Sequence, residues 1–200
     1  MSVKEHLHDV YVHRRRVIAL RDHLAGLLPP DSSVLDIGSG DGFLAYLIKK
    51  RRTDIEIIGT DVLIRKKTHI PVNEFDGQVL PYDDELFDAV TLVDVLHHTQ
   101  DPIILLNEAA RVSRKYIVIK DHTLNGIFAH ATLKFMDRVG NAHHGVALPH
   151  NYWTRDQWHS AFNRLKLKVD VWKKNLGLYG RPVDWIFGRS LHFITRLSKL

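Results

Sequence analysis

A short turn in the first quarter of the chain combines glycine with acidic residues, a pairing suited to binding a small cofactor. It reads Asp36-Ile37-Gly38-Ser39-Gly40-Asp41-Gly42, and its first residues close an apolar run, Val34–Ile37, that is typical of a buried strand. A helix is predicted to follow from about Asp41 to Lys50. Glycines between a first strand and a first helix let the backbone approach a nucleotide-like cofactor closely. The turn therefore predicts a cofactor site.

The residues of this turn discriminate among three classes of cofactor. A phosphate-cradling loop requires a Lys followed by Ser or Thr, which this turn lacks. A dinucleotide fingerprint requires a third glycine where Phe43 stands, and Asp41 places negative charge where a pyrophosphate binds. S-adenosylmethionine has no phosphate, and its sulfonium is cationic, so acidic residues are compatible with it. We therefore expect S-adenosylmethionine at this turn.

Asp61 is the second candidate contact for this cofactor. It stands 23 residues after Gly38, at the end of a second predicted strand, Glu56–Thr60. A carboxylate at that place can accept hydrogen bonds from both ribose hydroxyls. The alternative is a helix cap or a turn residue, and the upstream glycine turn favours the ribose contact.

Four segments resemble one known family. Val34–Gly42 resembles motif I of the class I (Rossmann-like) S-adenosylmethionine-dependent methyltransferases. Residues 76–90 resemble the family's pattern of an acidic residue, Leu-Pro and Phe-Asp before the fourth strand. Asp94–His98 resembles a motif of the small-molecule subgroup, which includes the ubiquinone and menaquinone biosynthesis methyltransferases. Asn107–Val112 resembles the helix that follows this motif in the same subgroup. The match covers roughly Ser33 to Ile119.

The resemblance implies further cofactor contacts. It places Asp76 at the adenine amino group with Gly77 beside it, and it places Asp94 and Leu96 near the methionine end. The family's Leu-Lys-Pro-Gly-Gly turn is replaced by the shorter, glycine-free residues 112–116, which suggests a distinct subfamily. With the turn residues, the full set expected to bind the cofactor is Asp36, Gly38, Ser39, Gly40, Gly42, Asp61, Val62, Asp76, Gly77, Asp94 and Leu96.

Strand and helix patterns alternate along the chain and predict an α/β fold. We expect a seven-stranded, mostly parallel, doubly wound sheet with helices on both faces, an N-terminal helix and a helical insertion between strands 5 and 6. A single methyltransferase domain is expected over residues 1–200. Its predicted parts are an N-terminal helical segment (1–30), the cofactor-binding core (31–122), a helical insertion or lid (123–165) and the C-terminal strands (166–200).

Histidines near the ends of the fourth and fifth strands are the candidate catalytic residues. Methyl transfer to oxygen or acidic carbon requires alignment and a base. The topology places His97, His98, Asp121 and His122 beside the cofactor crevice; the alternatives are a structural histidine in the first pair and a hydrogen-bonded loop residue for His122. Three more histidines, His143, His144 and His150, lack the spacing of a metal motif, and no metal is expected.

Aromatic residues after the fifth strand are candidates for the acceptor site. Two roles are open for one group of residues, which could line an apolar acceptor pocket or pack in the core: Phe128, Phe135, Met136, Tyr152, Trp153 and Trp158. A later loop carries Tyr179, Trp185, Ile186 and Phe187, which could contact a lipid-like acceptor or a partner subunit.

The leading interpretation is methyl transfer to a small-molecule or lipid-like acceptor, on oxygen, carbon or nitrogen. The alternatives are an RNA or protein methyltransferase and a non-catalytic, S-adenosylmethionine-binding regulatory protein. The net charge is +5, but no basic run alternates with aromatics as a single-strand platform requires, so nucleic acid is disfavoured as a partner. The chain has no cysteine and no apolar run of membrane-spanning length. We expect a cytoplasmic monomer or homodimer, with peripheral membrane contact as an option.

Overall fold

The computed structural model describes residues 3–141, 149–181, 183–188 and 190–200. Its elements, in chain order, are α1 (Val3–Ala25), β1 (Ser33–Ile37), α2 (Phe43–Arg51), β2 (Glu56–Asp61), β3 (Val72–Glu74), β4 (Phe87–Val93), a 3₁₀ turn (Leu96–His98), α3 (Pro102–Val112), β5 (Ser113–His122), α4 (Ala129–Asn141), α5 (Arg155–Arg164), β6 (Leu167–Lys173), α6 (Val183–Phe187) and β7 (His192–Lys199).

The strands form one seven-stranded sheet in the order β3-β2-β1-β4-β5-β7-β6. Neighbours from β3 to β5 run parallel, whereas β7 is antiparallel to both β5 and β6. The prediction of a seven-stranded, mostly parallel sheet is confirmed. The carboxyl ends of the parallel strands meet at one edge, where ligands bind in open α/β sheets.

Helices cover both faces of this sheet, because successive strand residues point to opposite sides. Val34 and Ala89 pack in a core with residues of α1 and α2. Their neighbours Leu35 and Val90 pack in a second core with residues of α3 and α5. β1, β4 and β5 are therefore buried on both sides, as their continuous apolar runs indicate.

Several element boundaries differ from the sequence-based expectation. The helical insertion expected from residue 123 has its first helix only from Ala129, because Gly126 and Phe128 have left-handed backbone angles (φ 85° and 63°) that a helix does not continue through. β5 extends to His122, so Asp121 and His122 are the last residues of the strand and do not belong to a loop. The loop expected before the last strand contains the short helix α6.

The antiparallel register between β5 and β7 places the last residues of β5 opposite the first residues of β7. Asp121 pairs with Phe193, and His122 pairs with His192.

Within the residues that the structure describes, no helix combines the length and apolarity needed to cross a bilayer. His143 and His144 lie outside the described residues.

Candidate cofactor and acceptor site

The glycine turn follows β1 and is fixed by β2. The backbone N–H groups of Gly38 and Ser39 donate to the carbonyl of Thr60, at 2.8 and 3.2 Å. Gly38 (φ 69°) lies so close to Val95 that a Cβ atom would overlap that side chain. At Gly40 (φ 60°) a Cβ would meet no described atom within 4 Å. Gly40 is thus the point where the turn leaves open space for a ligand.

A cavity of about 700 Å³ opens beside this turn at the carboxyl edge of the sheet. Its volume suits a small molecule or nucleoside-sized cofactor. Seven of the residues predicted to bind the cofactor line it, namely Gly38, Gly40, Asp61, Val62, Asp76, Gly77 and Asp94. The remaining lining residues are Leu63, Arg65, Phe75, Gln78, Val95, His98, Thr99, Gln100, Asp101, Ile104 and Leu105. The structure therefore brings the separate acidic motifs to one cavity.

Four of the predicted cofactor residues do not line this cavity. Asp36 is buried in β1 and accepts a hydrogen bond from Thr91 at 2.5 Å. Burial raises the pKa of Asp36 to about 6, against the opposing effect of this hydrogen bond. The other three have packing or main-chain contacts: Ser39 faces Gly59, Gly42 adjoins Ile70, and the buried Leu96 donates its backbone N–H to Asp121.

Backbone donors orient two of the carboxylates that line the cavity. Asp61 accepts hydrogen bonds from the N–H groups of Gly40 and Leu63, at 2.8 and 3.0 Å. Asp76 accepts from the N–H groups of Gln78 and Val79, at 2.8 and 2.7 Å. The bonds from Val79 and Gln78 lower the pKa of Asp76, so this carboxyl group stays ionised and can accept further donors.

A third carboxylate that lines the cavity, that of Asp94, binds two cations. Arg16 of α1 donates to Asp94 at 2.6 Å, and the ammonium of the fully buried Lys120 also contacts it. Burial alone would raise the pKa of Asp94, but the charges of Lys120 and Arg16 hold it well below its usual value. Burial lowers the pKa of Lys120.

Arg16 and Lys120 were not anticipated from the sequence. Arg16 belongs to a basic run that resembles a solvated surface. A signal was nevertheless present, because Leu20 and Leu24 follow it at intervals of four residues and both are buried. Residues so spaced share one helix face, which here turns toward the core.

His97 forms the centre of a buried ionic cluster. Its Nδ1 lies 2.6 Å from Asp121, and its Nε2 lies 3.4 Å from a carboxylate oxygen of Asp137 on α4. Burial lowers the pKa of His97, but the charge and hydrogen bond of Asp121, together with the nearby carboxylate of Asp137, raise it to about 10. His97 is thus an imidazolium between two carboxylates, and Asp137 also binds the hydroxyl of Tyr152.

The four candidate catalytic residues have different environments. His122 is buried, its carbonyl accepts the indole N–H of Trp158, and burial together with the charge of Lys120 lowers its pKa to about 4. Asp121 is fully buried beside His97. Of the four, His98 is the one that lines the cavity. Burial and the nearby His97 charge lower the pKa of His98, which leaves it a neutral base.

Two groups of side chains have the spacing of metal ligands within the described part of the chain. They are Asp94, His97, Asp121 and His122, and, separately, His97, His98 and Asp137. Cations of the protein itself already neutralise these carboxylates, since Lys120 contacts Asp94 and His97 lies between Asp121 and Asp137. The donor set is therefore explained by ion pairing without a metal.

Four of the six residues predicted for an acceptor pocket separate into two groups, and the other two, Met136 and Trp153, are half-buried. Tyr152 and Trp158 are buried in the core. Phe128 and Phe135 are largely exposed, and the Phe135 ring stacks on Phe187 of α6 at 6.2 Å between centroids. None of these four lines the cavity described above.

Comparison with known proteins identifies the class to which this fold and site belong. A family model described as a methyltransferase domain matches residues 7–178. The chain therefore belongs to the methyltransferase domain family, whose members use S-adenosylmethionine as methyl donor. The cavity fits this cofactor, because it offers an open glycine turn and fixed carboxylates but no phosphate-binding residues of the P-loop type.

Two curated relatives have sequences similar to half of the chain. A 27-O-demethylrifamycin SV methyltransferase of Amycolatopsis mediterranei is 32% identical over 48% of this chain and 40% of its own length. A demethylmenaquinone methyltransferase of Thermus thermophilus is 30% identical over 50% of this chain and 48% of its own. The chain thus spans less than half the length of the curated relatives it matches.

Solved structures share the fold over nearly the whole chain. A Haloferax volcanii protein in complex with the Trm112 methyltransferase activator has a TM-score of 0.70 at 16% identity, covering 95% of this chain and 96% of that one. An S-adenosylmethionine-dependent methyltransferase of Thermotoga maritima has a TM-score of 0.65 at 20% identity, covering 99% and 96%. At these identities the likeness concerns the fold alone.

Proposed function

We propose that this chain transfers the methyl group of S-adenosylmethionine to an oxygen, carbon or nitrogen atom of a small-molecule or lipid-like acceptor. The observation that carries the proposal is the single cavity that unites the open glycine turn with Asp61, Asp76 and Asp94. The names of the two curated relatives support a small-molecule acceptor.

The two fixed carboxylates bind the nucleoside part of the cofactor in this proposal. Asp61 is oriented by two backbone N–H groups and accepts the ribose hydroxyls. Asp76, with Gly77 beside it, accepts the adenine amino group. Because backbone donors preorganise both carboxylates, binding requires little rearrangement of these side chains.

His98 is the proposed base. The bound cofactor supplies an electrophilic methyl group, and the chain must align the acceptor and take up a proton where the acceptor atom carries one. His98 lines the cavity, and its buried Nδ1 has no hydrogen-bond partner among the described residues. His97 next to it is held as a cation by Asp121 and Asp137, so it cannot accept a proton. The positive charge of His97 favours a neutral His98.

Calorimetric titration with S-adenosylmethionine and S-adenosylhomocysteine tests the donor half of this proposal. The native protein should bind both in a saturable manner; absence of binding contradicts the proposal. Demethylmenaquinone and 27-O-demethylrifamycin SV are the first acceptors to assay, by transfer of a labelled methyl group. Binding without turnover across a broad acceptor panel would favour a regulatory, non-catalytic role.

A further inference from the structure

A short connection between the 3₁₀ turn and α3, residues 98–101, forms part of the cavity wall. Its residues His98, Thr99, Gln100 and Asp101 all line the cavity. The carbonyls at the end of a helical turn receive no hydrogen bond from within the turn. The position of this wall connection therefore depends on donors from another part of the chain.

Asn151, in the segment between α4 and α5, supplies those donors. Its backbone N–H donates to the carbonyl of His97 at 3.1 Å. Its side-chain amide donates to the carbonyls of Thr99 and Gln100, at 3.4 and 3.1 Å. The nitrogen of a carboxamide carries two hydrogens, which match these two acceptors. A single residue, distant in sequence, thus binds three carbonyls in and beside the wall connection.

Asn151 is held in place by the residues that follow it. Tyr152 is buried, and its hydroxyl binds the carboxylate of Asp137 on α4. The carbonyl of Trp153 accepts the backbone N–H of Leu124, which follows the end of β5, at 2.9 Å. The segment around Asn151 is therefore anchored to α4 and to the sheet, so it can fix the wall connection.

We propose that Asn151 is a positioning residue, which caps the turn after β4 and thereby holds the imidazole of His98 at the cavity. This inference rests on the proposed function, in which His98 is the base. A base must lie within hydrogen-bond reach of the proton that it takes up, and a small displacement lowers the rate. Asn151 itself does not line the cavity, so it acts through the main chain of the wall connection and not on a ligand.

The surroundings of His98 make this role measurable. Burial lowers the pKa of His98, and the charge of His97 lowers it further. Three carboxylates, one each from the end of β4, from β5 and from α4, oppose this effect: Asp94, Asp121 and Asp137. Asn151→Ala removes none of these charges. A changed pKa of His98 in that variant therefore reports a displaced or more hydrated imidazole.

Asn151→Ala, compared with Asn163→Ala, tests the proposal in the ligand-free protein. Asn163 is exposed on α5 and does not line the cavity, so it controls for the loss of a carboxamide. NMR of protein with isotope-labelled histidine measures the pKa of His98, whose signal is the one absent from His98→Gln. In Asn151→Ala this pKa should rise toward about 6.5, because a loosened wall connection admits water. Asn163→Ala should keep the native value.

A second variant separates positioning from a purely structural role. The backbone bond from residue 151 to His97 survives a side-chain change, so both Asn151→Ala and Asn151→Ser are expected to fold. Asn151→Ser keeps one side-chain donor and should give a pKa of His98 between those of the native protein and Asn151→Ala. Lost hydrogen bonds lower the thermal midpoint in either case. A lower midpoint with a native pKa of His98 in both variants would overturn the inference.

Methyl transfer to the acceptor that the panel identifies provides an independent measurement. Asn151→Ala should lower kcat by about 10-fold, because a displaced base takes up the proton less effectively. In the His98→Ala background the same change should lower kcat by less than about twofold, since the base is already absent. Equal losses in the two backgrounds would show that Asn151 does not act through His98.

Binding of S-adenosylhomocysteine distinguishes failure of this inference from failure of the proposed function. A native protein that binds none contradicts the proposed function, whereas the titration of His98 needs no ligand and tests Asn151 by itself. The affinity of Asn151→Ala should stay within about threefold of the native value, because no proposed cofactor contact belongs to the wall connection. A larger loss of affinity than of kcat would contradict a role of Asn151 toward His98.

Discussion

The carboxylate of Asp61 accepts a hydrogen bond from the backbone N–H of Gly40, at 2.8 Å. This bond joins two motifs that are 21 residues apart, the glycine turn after β1 and the acidic end of β2. It fixes the turn and orients the carboxylate with one contact. A change at Asp61 should therefore affect both the shape of the turn and the proposed ribose contact.

Asp61→Ala should weaken binding of S-adenosylhomocysteine by about 10- to 100-fold, since it removes charge-assisted hydrogen bonds. Calorimetric titration measures the change. Asp83→Ala removes an exposed carboxylate that does not line the cavity, so it should bind as the native protein does. Equal affinities for both variants would contradict the proposed role of Asp61.

His98→Ala should reduce kcat by about 10²-fold or more, the usual contribution of a general base. The affinity for S-adenosylhomocysteine should stay within about twofold of the native value, because the change removes the proposed base and no proposed cofactor ligand. The assay is methyl transfer to whichever acceptor the panel identifies. His159→Ala, on α5 away from the cavity, is the matched control. An unchanged kcat in His98→Ala would remove His98 from the mechanism.

His97→Gln should destabilise the fold by about 3–5 kcal/mol, because it leaves the buried carboxylates Asp121 and Asp137 without their cation. The pKa of His97 is raised to about 10 in the folded protein, so its stabilisation is fully present below about pH 6.5. That stabilisation is lost as the pH rises toward 10. Urea unfolding should show that the difference in free energy of unfolding between the native protein and the variant is smaller at about pH 10 than at about pH 6. A difference that is the same at both pH values would refute the assignment of His97 as an imidazolium.

Asp36→Asn should change the pH dependence of stability at acidic pH. The pKa of Asp36 is raised to about 6, so the folded protein retains a proton that the unfolded chain releases between about pH 4 and pH 6. Across that range this group makes the free energy of unfolding fall with rising pH, by about 3 kcal/mol. Asn stays neutral and can still accept from Thr91. Denaturant titrations of the ligand-free proteins should therefore show a smaller decline in the variant; an identical decline would exclude Asp36 as its source.

Trp185→Ser tests the proposed peripheral membrane contact. Trp185 on α6 is 69% exposed, and the Phe135–Phe187 stack joins α6 to α4, where Lys134 and Arg138 are exposed. An apolar surface beside basic residues should bind vesicles that contain phosphatidylglycerol, and the variant should bind about 10-fold more weakly. Cosedimentation measures the binding of each protein to these vesicles, with Leu86→Ser as the control variant. Native protein that remains unbound would contradict membrane contact.

Much of the fold could be predicted because its signals are local. The helix Pro102–Val112 begins with a proline in its first turn and has Asp101 as its N-cap, and both signals can be read from the sequence. The residues Thr154 and Gln157, three positions apart, form a capping box at the start of α5. Each depends on residues a few positions apart, which a single sequence displays.

The remaining features depend on contacts between distant residues. Arg16 and Asp94 are 78 residues apart, and the contact between His97 and Asp137 joins the 3₁₀ turn after β4 to α4, with α3 and β5 between them in the chain. Burial also changes what an ionisable residue does, as the fully buried Lys120 shows. The motifs could indicate the glycine turn, Asp61 and Asp76, but not which histidine faces the cavity.

The position of β7 has a consequence for folding during synthesis. β7 leaves the ribosome after β6, yet it lies between β5 and β6 in the sheet. Until β7 emerges, β6 has no hydrogen-bonding neighbour, and one edge of β5 is exposed along its length. Lys120, Asp121 and His122 pair with residues 192–194. The ionic cluster at the cavity is therefore expected to assemble only when β7 inserts, and a nascent chain stalled before that point should remain vulnerable to aggregation through β5.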